Sequence, residues 1–494
     1  MALLSLAGFA GSAQQKVFEL PMDPADADGL QVYHAFDPQG ARVHITFASH
    51  FKVQRYVLDS DDSTVHTPVP LTGPLVYDKS SRSGSILPFY FHLGHSFVKG
   101  GIEEAFSDKV FSKIVFINSP YNSQPVQRTD SILIPAGEHL FVYFHQQNEF
   151  YALTHPKGSD TIRIYHHRPG GRSEVVSKRV GVKDWGKIAH RPGMLVKNSV
   201  RELSDLIDGL SMIVQDPYMP PLLLATLSRT KLFVTAGKAY LTFDNTDLDT
   251  YVAEIPLDSR EVRIMKFDAL PYYHNTAPPN SSNGNSFIID STLVVASVIH
   301  QQLYLAFFDL STGQLKAAYE PGKDGSLSYS HSPFLHVGTQ WKKSTVYEIK
   351  REAFVDASWQ FWSLGISGHK YGRDQIQLEI GTNYYREGYG KAIVSVNTVG
   401  SYSTMRIGAG MPGGAMYAAT GGGRQNTMLF MAQFQAGDCS SLPYKELEDK
   451  SELINNFVDS LKKPRREIAF LGFEGKYWLG FYEPSDKKYL IYKF

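Results

Sequence analysis

The chain has 494 residues, and its 49 Lys and Arg residues balance 49 Asp and Glu residues. This balance leaves no basic surface that would attract nucleic acid or an anionic membrane. The single cysteine, Cys439, excludes an internal disulfide bond. No run beyond the N-terminus approaches the about 20 apolar residues of a transmembrane helix. Aromatic residues make up 13% of the chain, which favours β-strands because rings pack well across a pleated surface.

The N-terminal segment resembles the end of a secretory signal peptide. Residues 3–9 are apolar, and Gly11, Ser12 and Ala13 place small residues before Gln14. The basic segment that normally begins such a signal is missing, which a start codon set too far downstream would explain. We therefore expect residues 1–13 to be a signal-peptide remnant and the protein to be periplasmic or secreted. A short ordered helix in a cytoplasmic protein is the alternative.

Strand-like alternation begins after this segment. Runs of this kind cover residues 30–36, 41–47, 52–59, 87–93 and 110–117. Four further runs, at 131–135, 139–144, 149–154 and 161–166, are predicted to be the four strands of one complete sheet.

The stretch 284–323 is the clearest sheet unit in the chain. Residues 292–299 are apolar and rich in Val and Ile, residues 303–308 alternate, and residues 314–319 follow a tight turn. In that turn Gly313 suits a positive φ, and Asp309 can bond the backbone of the turn itself. Three short strands joined by two tight turns form an up-and-down sheet, the repeating unit of a β-propeller.

Weak internal repeats and two helical segments complete the pattern. Segments 231–258, 302–320 and 475–494 each have an aromatic-rich strand, a turn with Asp or Pro, and a return strand with tyrosine. Their irregular period indicates degenerate repeats. Residues 331–366 are predicted to add further strands. Apolar residues at helical spacing predict two inserted helices, near 199–215 and 444–462.

These patterns predict an all-β fold, β-propeller-like, with about seven blades, degenerate repeats and the two inserted helices. Residues 14–494 are expected to form this single domain. The last strand, at 490–494, is apolar on both sides and should therefore be covered. We predict that it closes the ring by pairing with residues 17–20 or 30–36.

Candidate chemical sites are few. Residues 408–413 match G-x-G-x-x-G, but the segment that follows is too short for the helix of a dinucleotide site. His92 with His95, and the adjacent His166 and His167, are the tightest histidine pairs, and hydrogen-bonded histidines without a metal are expected there. No nucleophile-elbow motif occurs. No metal site and no cofactor are predicted, and catalytic residues stay unidentified.

Two aromatic groups could stack on sugar rings: Trp359 with Trp362, and Tyr384, Tyr385 and Tyr389. Alternation around Trp359 fits a half-buried strand equally well. These five residues are the candidate ligand-binding residues.

Segment 1–13, the degenerate repeats and the final strand 489–494 resemble poorly characterised exported β-propellers of Bacteroidota-type bacteria. The resemblance covers most of the chain, concerns architecture, and carries no functional residue across. It implies an accessory of outer-membrane secretion or uptake machinery, or a protein that acts on glycans. We expect a non-enzymatic, exported scaffold that binds a protein partner through its rim loops, where binding residues concentrate. The alternative is a glycan-binding or glycan-cleaving propeller with acids at its central channel.

Overall fold

The computed structural model describes twenty-five segments of the chain. They are residues 15–21, 31–36, 42–48, 53–59, 65–70, 91–99, 101–108, 111–120, 127–181, 203, 210–214, 223–235, 237–244, 249–258, 260–268, 282–340, 343–360, 363–371, 374–385, 398–399, 402–403, 425–445, 466–473, 476–483 and 485–493.

The protein is an all-β propeller, whose described residues form seven sheets of four or five strands. Strand β1 (Gln15–Pro21) precedes three four-stranded meanders. Sheet 1 contains β2 (Gln31–Phe36), β3 (Arg42–Ala48), β4 (Val53–Asp59) and β5 (Val65–Pro70). Sheet 2 contains β6 (Phe91–Val98), β7 (Gly101–Ser107), β8 (Lys113–Pro120) and β9 (Gln127–Leu133). Sheet 3 contains β10 (Glu138–Gln146), β11 (Glu149–Pro156), β12 (Thr161–His167) and β13 (Ser173–Arg179).

Sheets 4 and 5 continue the series. Sheet 4 contains β14 (Ser211–Val214), which pairs in parallel with β15, and the meander β15 (Thr230–Thr235), β16 (Lys238–Asp244), β17 (Asp249–Pro256) and β18 (Arg263–Asp268). A 3-10 helix, Leu223–Thr226, lies between β14 and β15. Sheet 5 contains β19 (Ser282–Ile289), β20 (Thr292–Ile299), β21 (Gln302–Asp309) and β22 (Leu315–Tyr319).

The last two sheets depart from the simple meander. Sheet 6 has the order β24-β23-β29-β26-β25, built from β23 (Phe334–Gln340), β24 (Lys343–Ile349), β25 (Ser363–Tyr371), β26 (Gln375–Tyr385) and β29 (Gln425–Gln435). A small hairpin, β27 (Thr398–Val399) and β28 (Tyr402–Ser403), lies between β26 and β29 in the chain. Sheet 7 contains β30 (Arg466–Phe473), β31 (Lys476–Glu483), β32 (Lys488–Lys493) and, at its outer edge, β1.

The sheets are closest to one another at one edge. Strand β2 contacts β30, β6 contacts β10, and β19 contacts β25. Each of these is the first strand of its sheet in space, so these edges converge on the centre of the ring. The opposite edges, which end in β5, β9, β13, β18, β22, β24 and β1, form the perimeter.

The C-terminal strand closes the ring. Strand β32 pairs antiparallel with β31 on one side and with β1 on the other, from Gln15 opposite Lys493 to Pro21 opposite Lys488. This confirms the predicted closure, and of the two proposed partners the segment 17–20 is correct. Because the two chain ends meet in one sheet, no break is left at the junction between sheet 7 and sheet 1.

The apolar core lies between neighbouring sheets. One cluster joins sheets 2 and 3, a second joins sheets 3 and 4, and the largest joins sheets 4, 5 and 6. Strand β20, at 292–299, is buried along its whole length because both of its faces are covered. The predicted sheet unit at 284–323 is confirmed as sheet 5, and His300 and Gln301 form its two-residue turn with positive φ.

The helices differ from the prediction. One α-helix is described over its whole length, α1 (Arg351–Gln360), and it lies where strands were predicted. It follows the outermost strand β24 and precedes the innermost strand β25, and it buries Phe354 and Ser358 one turn apart. The chain therefore uses α1 to cross back from the perimeter to the centre. No helix of the described segments is long and apolar enough to cross a membrane.

Two inserted helices were predicted, near 199–215 and 444–462. In the first segment the described residue Leu203 is helical, as predicted, whereas residues 211–214 are not. Residues 211–214 form β14 instead, because pairing with β15 and burial of Ile213 outweigh the amphipathic pattern. Residues 444–445 have no regular structure, and residues 446–462 lie outside the described segments. The predicted four-strand sheet at 131–166 is also divided differently. Residues 131–133 belong to β9, the outer strand of sheet 2, and β13 is the fourth strand of sheet 3.

Candidate functional site

The adjacent histidines His166 and His167 end strand β12 and face opposite sides of sheet 3. His167 packs toward sheet 2, where its ring stacks on Phe116 with centroids 3.6 Å apart. His166 stacks on Tyr151 of its own sheet, with centroids 4.5 Å apart. Successive side chains of a strand alternate between the two faces, so these two imidazoles cannot bind one metal ion together.

A buried polar network surrounds His167 between sheets 2 and 3. Its Nε2 lies 2.6 Å from Glu103 Oε1, and both side chains are 1% exposed. Its Nδ1 lies 3.0 Å from the hydroxyl of Ser173. The Glu103 carboxylate also accepts hydrogen bonds from the Thr129 hydroxyl at 2.5 Å and the Gly170 backbone N–H at 3.3 Å. Both nitrogens of the imidazole and both oxygens of Glu103 are thus hydrogen-bonded.

The order Ser173, His167, Glu103 has the members of a nucleophile–base–orienter triad, which makes it the first candidate for an active site. A serine nucleophile must give its proton to the histidine. Here the Ser173 hydroxyl donates instead to Asp130 Oδ2 at 2.7 Å, and the Ser173 backbone N–H donates to the same oxygen at 2.6 Å. The serine oxygen therefore offers His167 a lone pair, and the network acts as a joint between two sheets.

The charges of this joint are arranged around the imidazole. Asp130 Oδ2 lies 3.5 Å from His167 Nδ1, on the side opposite Glu103. Partial burial works toward a higher pKa of Asp130, but hydrogen bonds from Ser173 and from the Ser131 backbone outweigh it and hold the pKa below the ordinary value. The carboxylate form is thereby favoured at the point where sheets 2 and 3 meet.

A second cluster lies on the other face of sheet 3. Glu149 Oε2 is 2.7 Å from His166 Nε2 and accepts a hydrogen bond from the Tyr151 hydroxyl at 2.9 Å. Arg168 Nε lies 3.4 Å from the other oxygen of Glu149. Burial, together with the hydrogen bond to Glu149, raises the pKa of Tyr151. The phenol therefore stays a hydrogen-bond donor to the carboxylate.

The β10–β11 turn extends these contacts to both neighbouring sheets. Gln147 and Asn148 have positive φ, as a two-residue hairpin turn requires. The Asn148 side chain accepts a hydrogen bond from the Phe97 N–H and donates one to the Phe97 carbonyl at 2.6 Å. Gln146 accepts a hydrogen bond from the Gly237 N–H at 3.2 Å. One turn of sheet 3 is therefore bonded to sheets 2 and 4.

A third cluster centres on Lys231, whose side chain has no exposed surface. Its Nζ donates to Asp244 Oδ2 at 2.7 Å, to Asn285 Oδ1 at 2.7 Å and to the Ser228 carbonyl at 2.8 Å. Asp244 also accepts from the Ser286 backbone N–H at 3.0 Å. Lys231 and Asp244 belong to sheet 4, whereas Asn285 and Ser286 belong to sheet 5, so this cluster is also a joint.

Asn285 extends the Lys231 cluster to sheet 6. Its Nδ2 donates to the Leu364 carbonyl at 2.7 Å and to the Thr226 carbonyl at 2.9 Å. Burial lowers the pKa of Lys231, and the charge and hydrogen bond of Asp244 oppose that shift. Each of the three N–H bonds of the Lys231 ammonium has an acceptor within the protein. The ammonium has no lone pair and therefore cannot act as a nucleophile.

Three of the five predicted ligand-binding aromatics lie in described strands or helices. Trp359 lies in α1, where a half-buried strand had been the alternative. Tyr384 and Tyr385 are the last two residues of β26. Trp362 and Tyr389 lie outside the described residues, as does the glycine motif at 408–413, so sugar binding stays a prediction.

In the described segments, no group of three or more His, Cys, Asp and Glu side chains is placed to hold a metal ion. The predicted pair His92 and His95 flanks a β-bulge at Gly94, which has a φ of 126°. His95 is buried.

The exposed large hydrophobic side chains of the described segments all lie on outermost strands, a feature that the sequence did not reveal. They are Leu133 on β9 (68% exposed), Val175 on β13 (55%), Ile264 on β18 (39%), and Val346 and Tyr347 on β24 (53% each). Strand alternation predicts that such residues face a neighbouring sheet. Only their place at the perimeter explains their exposure.

No protein-family model and no curated protein matches the chain. Solved structures match it at low similarity. The Dos1 propeller is 10% identical, covers 88% of this chain and 99% of its own, and has a TM-score of 0.31. The WD40 domain of SCAP from fission yeast is 10% identical, covers 81% and 84%, and has a TM-score of 0.25. Hsv2 of Kluyveromyces lactis is 8% identical, covers 73% and 94%, and has a TM-score of 0.27. The propeller assignment rests on the strand pairing described above.

Proposed function

We propose that this protein is a non-enzymatic scaffold that binds a protein partner at the perimeter of its propeller. The proposal includes a ring in which each of the seven sheets is a blade. It moves the contact from the rim loops, expected from the sequence, to the outermost strands. The observation that carries it is the position of the exposed apolar side chains of the described segments, all of which lie on four of these strands.

An outer strand offers two things that a protein partner can use at once. Its free edge presents backbone N–H and C=O groups, and an added strand can pair with them. Its exposed apolar side chains lose contact with water when a partner covers them, which favours association. On β24 two such residues, Val346 and Tyr347, are adjacent, and apolar side chains that are grouped on a surface mark protein interaction sites more often than isolated ones do.

The interior of the protein supports the role of a rigid frame. The Glu103–His167 network and the Lys231–Asn285 hydrogen bond connect different sheets in the interior, and the Asn148 turn does so through partly buried hydrogen bonds. Fully satisfied buried polar networks favour one arrangement of the parts that they join. A frame of this kind keeps its perimeter strands at fixed positions, which lowers the cost of binding a partner.

Site-specific photo-crosslinking in the native host tests the proposal. A photoreactive amino acid is placed at Val175, Ile264 or Tyr347, and, as matched exposed controls in turns, at Thr312 or Asp438. We expect one discrete protein crosslink from perimeter positions and none from the turns. Crosslinks from the turns alone would return the contact to the rim loops and overturn the proposal.

The cellular context forms a separate part of the proposal. The segment 1–13 supports export, and the resemblance to exported propellers makes outer-membrane secretion or uptake machinery the first assembly to test. N-terminal sequencing of protein from the native host should begin at Gln14. Intact Met1 on that protein would contradict export without affecting the perimeter contact.

A further inference from the structure

Strand β24 is an edge strand of the perimeter that carries two exposed apolar residues. It pairs with β23 on one side, and no other strand of the described segments pairs with its second side. Sheet 6 has five strands counted outward from β25, so β24 projects one strand farther than the four-stranded sheets, a distance of about 4.8 Å. Val346 and Tyr347, side by side in this strand, are each 53% exposed.

Other perimeter strands carry features that discourage pairing with another chain. Strand β5 contains Pro68 and Pro70, which lack a backbone N–H. In β18, Arg263 and Lys266 are exposed charges on either side of Ile264. Strand β24 differs because its two exposed apolar residues are adjacent, with one exposed charge beside them, Glu348.

We propose that β24 pairs antiparallel with β24 of a second copy of this chain, so that two propellers form a two-fold dimer with one continuous sheet. A two-fold antiparallel pair places one residue opposite its own copy. The seven residues Lys343–Ile349 overlap completely only when that residue is Val346. Full-length pairing of β24 with its copy therefore has only one register, with Val346 opposite Val346.

The sequence of β24 is compatible with itself in this register. Val346 lies opposite Val346 of the other copy, and Tyr347 lies opposite Thr345, so an aromatic residue faces a β-branched one. Glu348 lies opposite Ser344, and Lys343 lies opposite Ile349. No two like charges are directly opposed, which removes the usual penalty for self-pairing of an edge.

The outer strand β13 is a weaker candidate than β24 for pairing with its own copy, because its charged side chains already have partners. Glu174 and Lys178 of β13 would also be opposite one another in self-pairing, but both already have partners. Glu174 pairs with Arg168 at 3.3 Å, and Lys178 donates to the Arg260 carbonyl of sheet 4. For Val346 and Tyr347 the sole described ring or polar contact is the stacking of Tyr347 on His336, with centroids 4.7 Å apart.

Sedimentation velocity of the full chain from about 1 to 100 μM tests the dimer, because a strand pair is a small interface and should dissociate in the micromolar range. We expect the wild type to change from monomer to dimer across this range. Val346→Lys should raise the dissociation constant at least about 100-fold, and Tyr347→Glu is a second variant in case the first does not fold. Val175→Lys, at an equally exposed apolar residue of β13, should dimerise like the wild type.

Oxidative crosslinking tests the register. Val346→Cys should form a disulfide between copies, since directly opposite residues have Cα atoms about 4.5–5.5 Å apart. Glu348→Cys should not, because its copies would be four residues apart along the strands, about 13 Å. The native Cys439 is buried, so the wild type, which contains only this cysteine, gives the background level of crosslinking.

Three results would overturn the inference: a wild type that stays monomeric at 100 μM, a Val346→Lys variant that dimerises normally, or equal crosslinking of the two cysteine variants. If the wild type is monomeric and Val346→Lys abolishes a photo-crosslink to another protein, the β24 edge binds that protein and not a second copy of this chain. The inference goes beyond the proposed function, since a partner could still bind the perimeter of a monomer.

Discussion

Deletion of residues 489–494 removes the strand that holds the ring closed. Strand β32 lies between β31 and β1, so its loss leaves β1 without a neighbour in its sheet. Tyr489 and Ile491 are fully buried. The Tyr489 ring also packs edge-on against Phe47 of sheet 1, with centroids 4.9 Å apart. The deletion therefore affects sheet 7 and its junction with sheet 1.

The expected cost follows from the two buried side chains. Burial of each contributes about 1.5–3 kcal/mol, or about 3–6 kcal/mol for both, before the lost backbone pairing is counted. The free energy of unfolding of a domain is about 5–15 kcal/mol. We therefore expect the truncated protein to be insoluble or rapidly proteolysed. The milder Ile491→Ala should lower the free energy of unfolding by about 2–5 kcal/mol.

Denaturant unfolding and limited proteolysis measure these effects. Lys488→Ala is the matched control on the same strand. It removes only the exposed ion pair with Glu19, at 2.8 Å, and should cost less than about 1 kcal/mol. Removal of residues 1–13 should likewise have little effect. If the protein without residues 489–494 unfolds at the same denaturant concentration as the full chain, β32 does not close the ring.

Three further predictions concern the joints and one turn. Lys231→Ala leaves Asp244 buried without its cation and should cost about 3–5 kcal/mol in denaturant unfolding; a variant as stable as wild type would contradict the joint. Glu103→Gln removes the charge that faces His167 and should cost about 1.5–3 kcal/mol, with unchanged stability as the contrary result. The pKa of Asp309 is lowered to about 2 by hydrogen bonds from Ser311 and Thr312. Its stabilisation of the turn should be complete above about pH 4 and lost as the pH falls through about 2, and a carboxyl NMR titration with an ordinary midpoint would refute this.

The sequence by itself determined the kind of secondary structure and the way the ring closes. Alternation and turn residues are local properties, so residues 292–319 predicted the strands and turns of sheet 5. The final strand is apolar on both sides, and this pattern has a physical consequence wherever the strand lies, because it must be covered. The internal repeats were less informative. Segments 302–320 and 475–494 correspond to different positions in their sheets.

Only the tertiary structure decided what each strand faces. The Lys231 cluster joins residues 54 positions apart in sequence, and the Glu103–His167 pair joins residues 64 positions apart, so no local pattern could indicate either. Half of the residues of helix α1 are apolar, but they do not form a clear stripe at helical spacing, so the sequence pattern did not indicate a helix between β24 and β25. Val346 and Tyr347 look like core residues in the sequence. They are exposed because β24 is the last strand of its sheet, and strand order is a property of the whole ring.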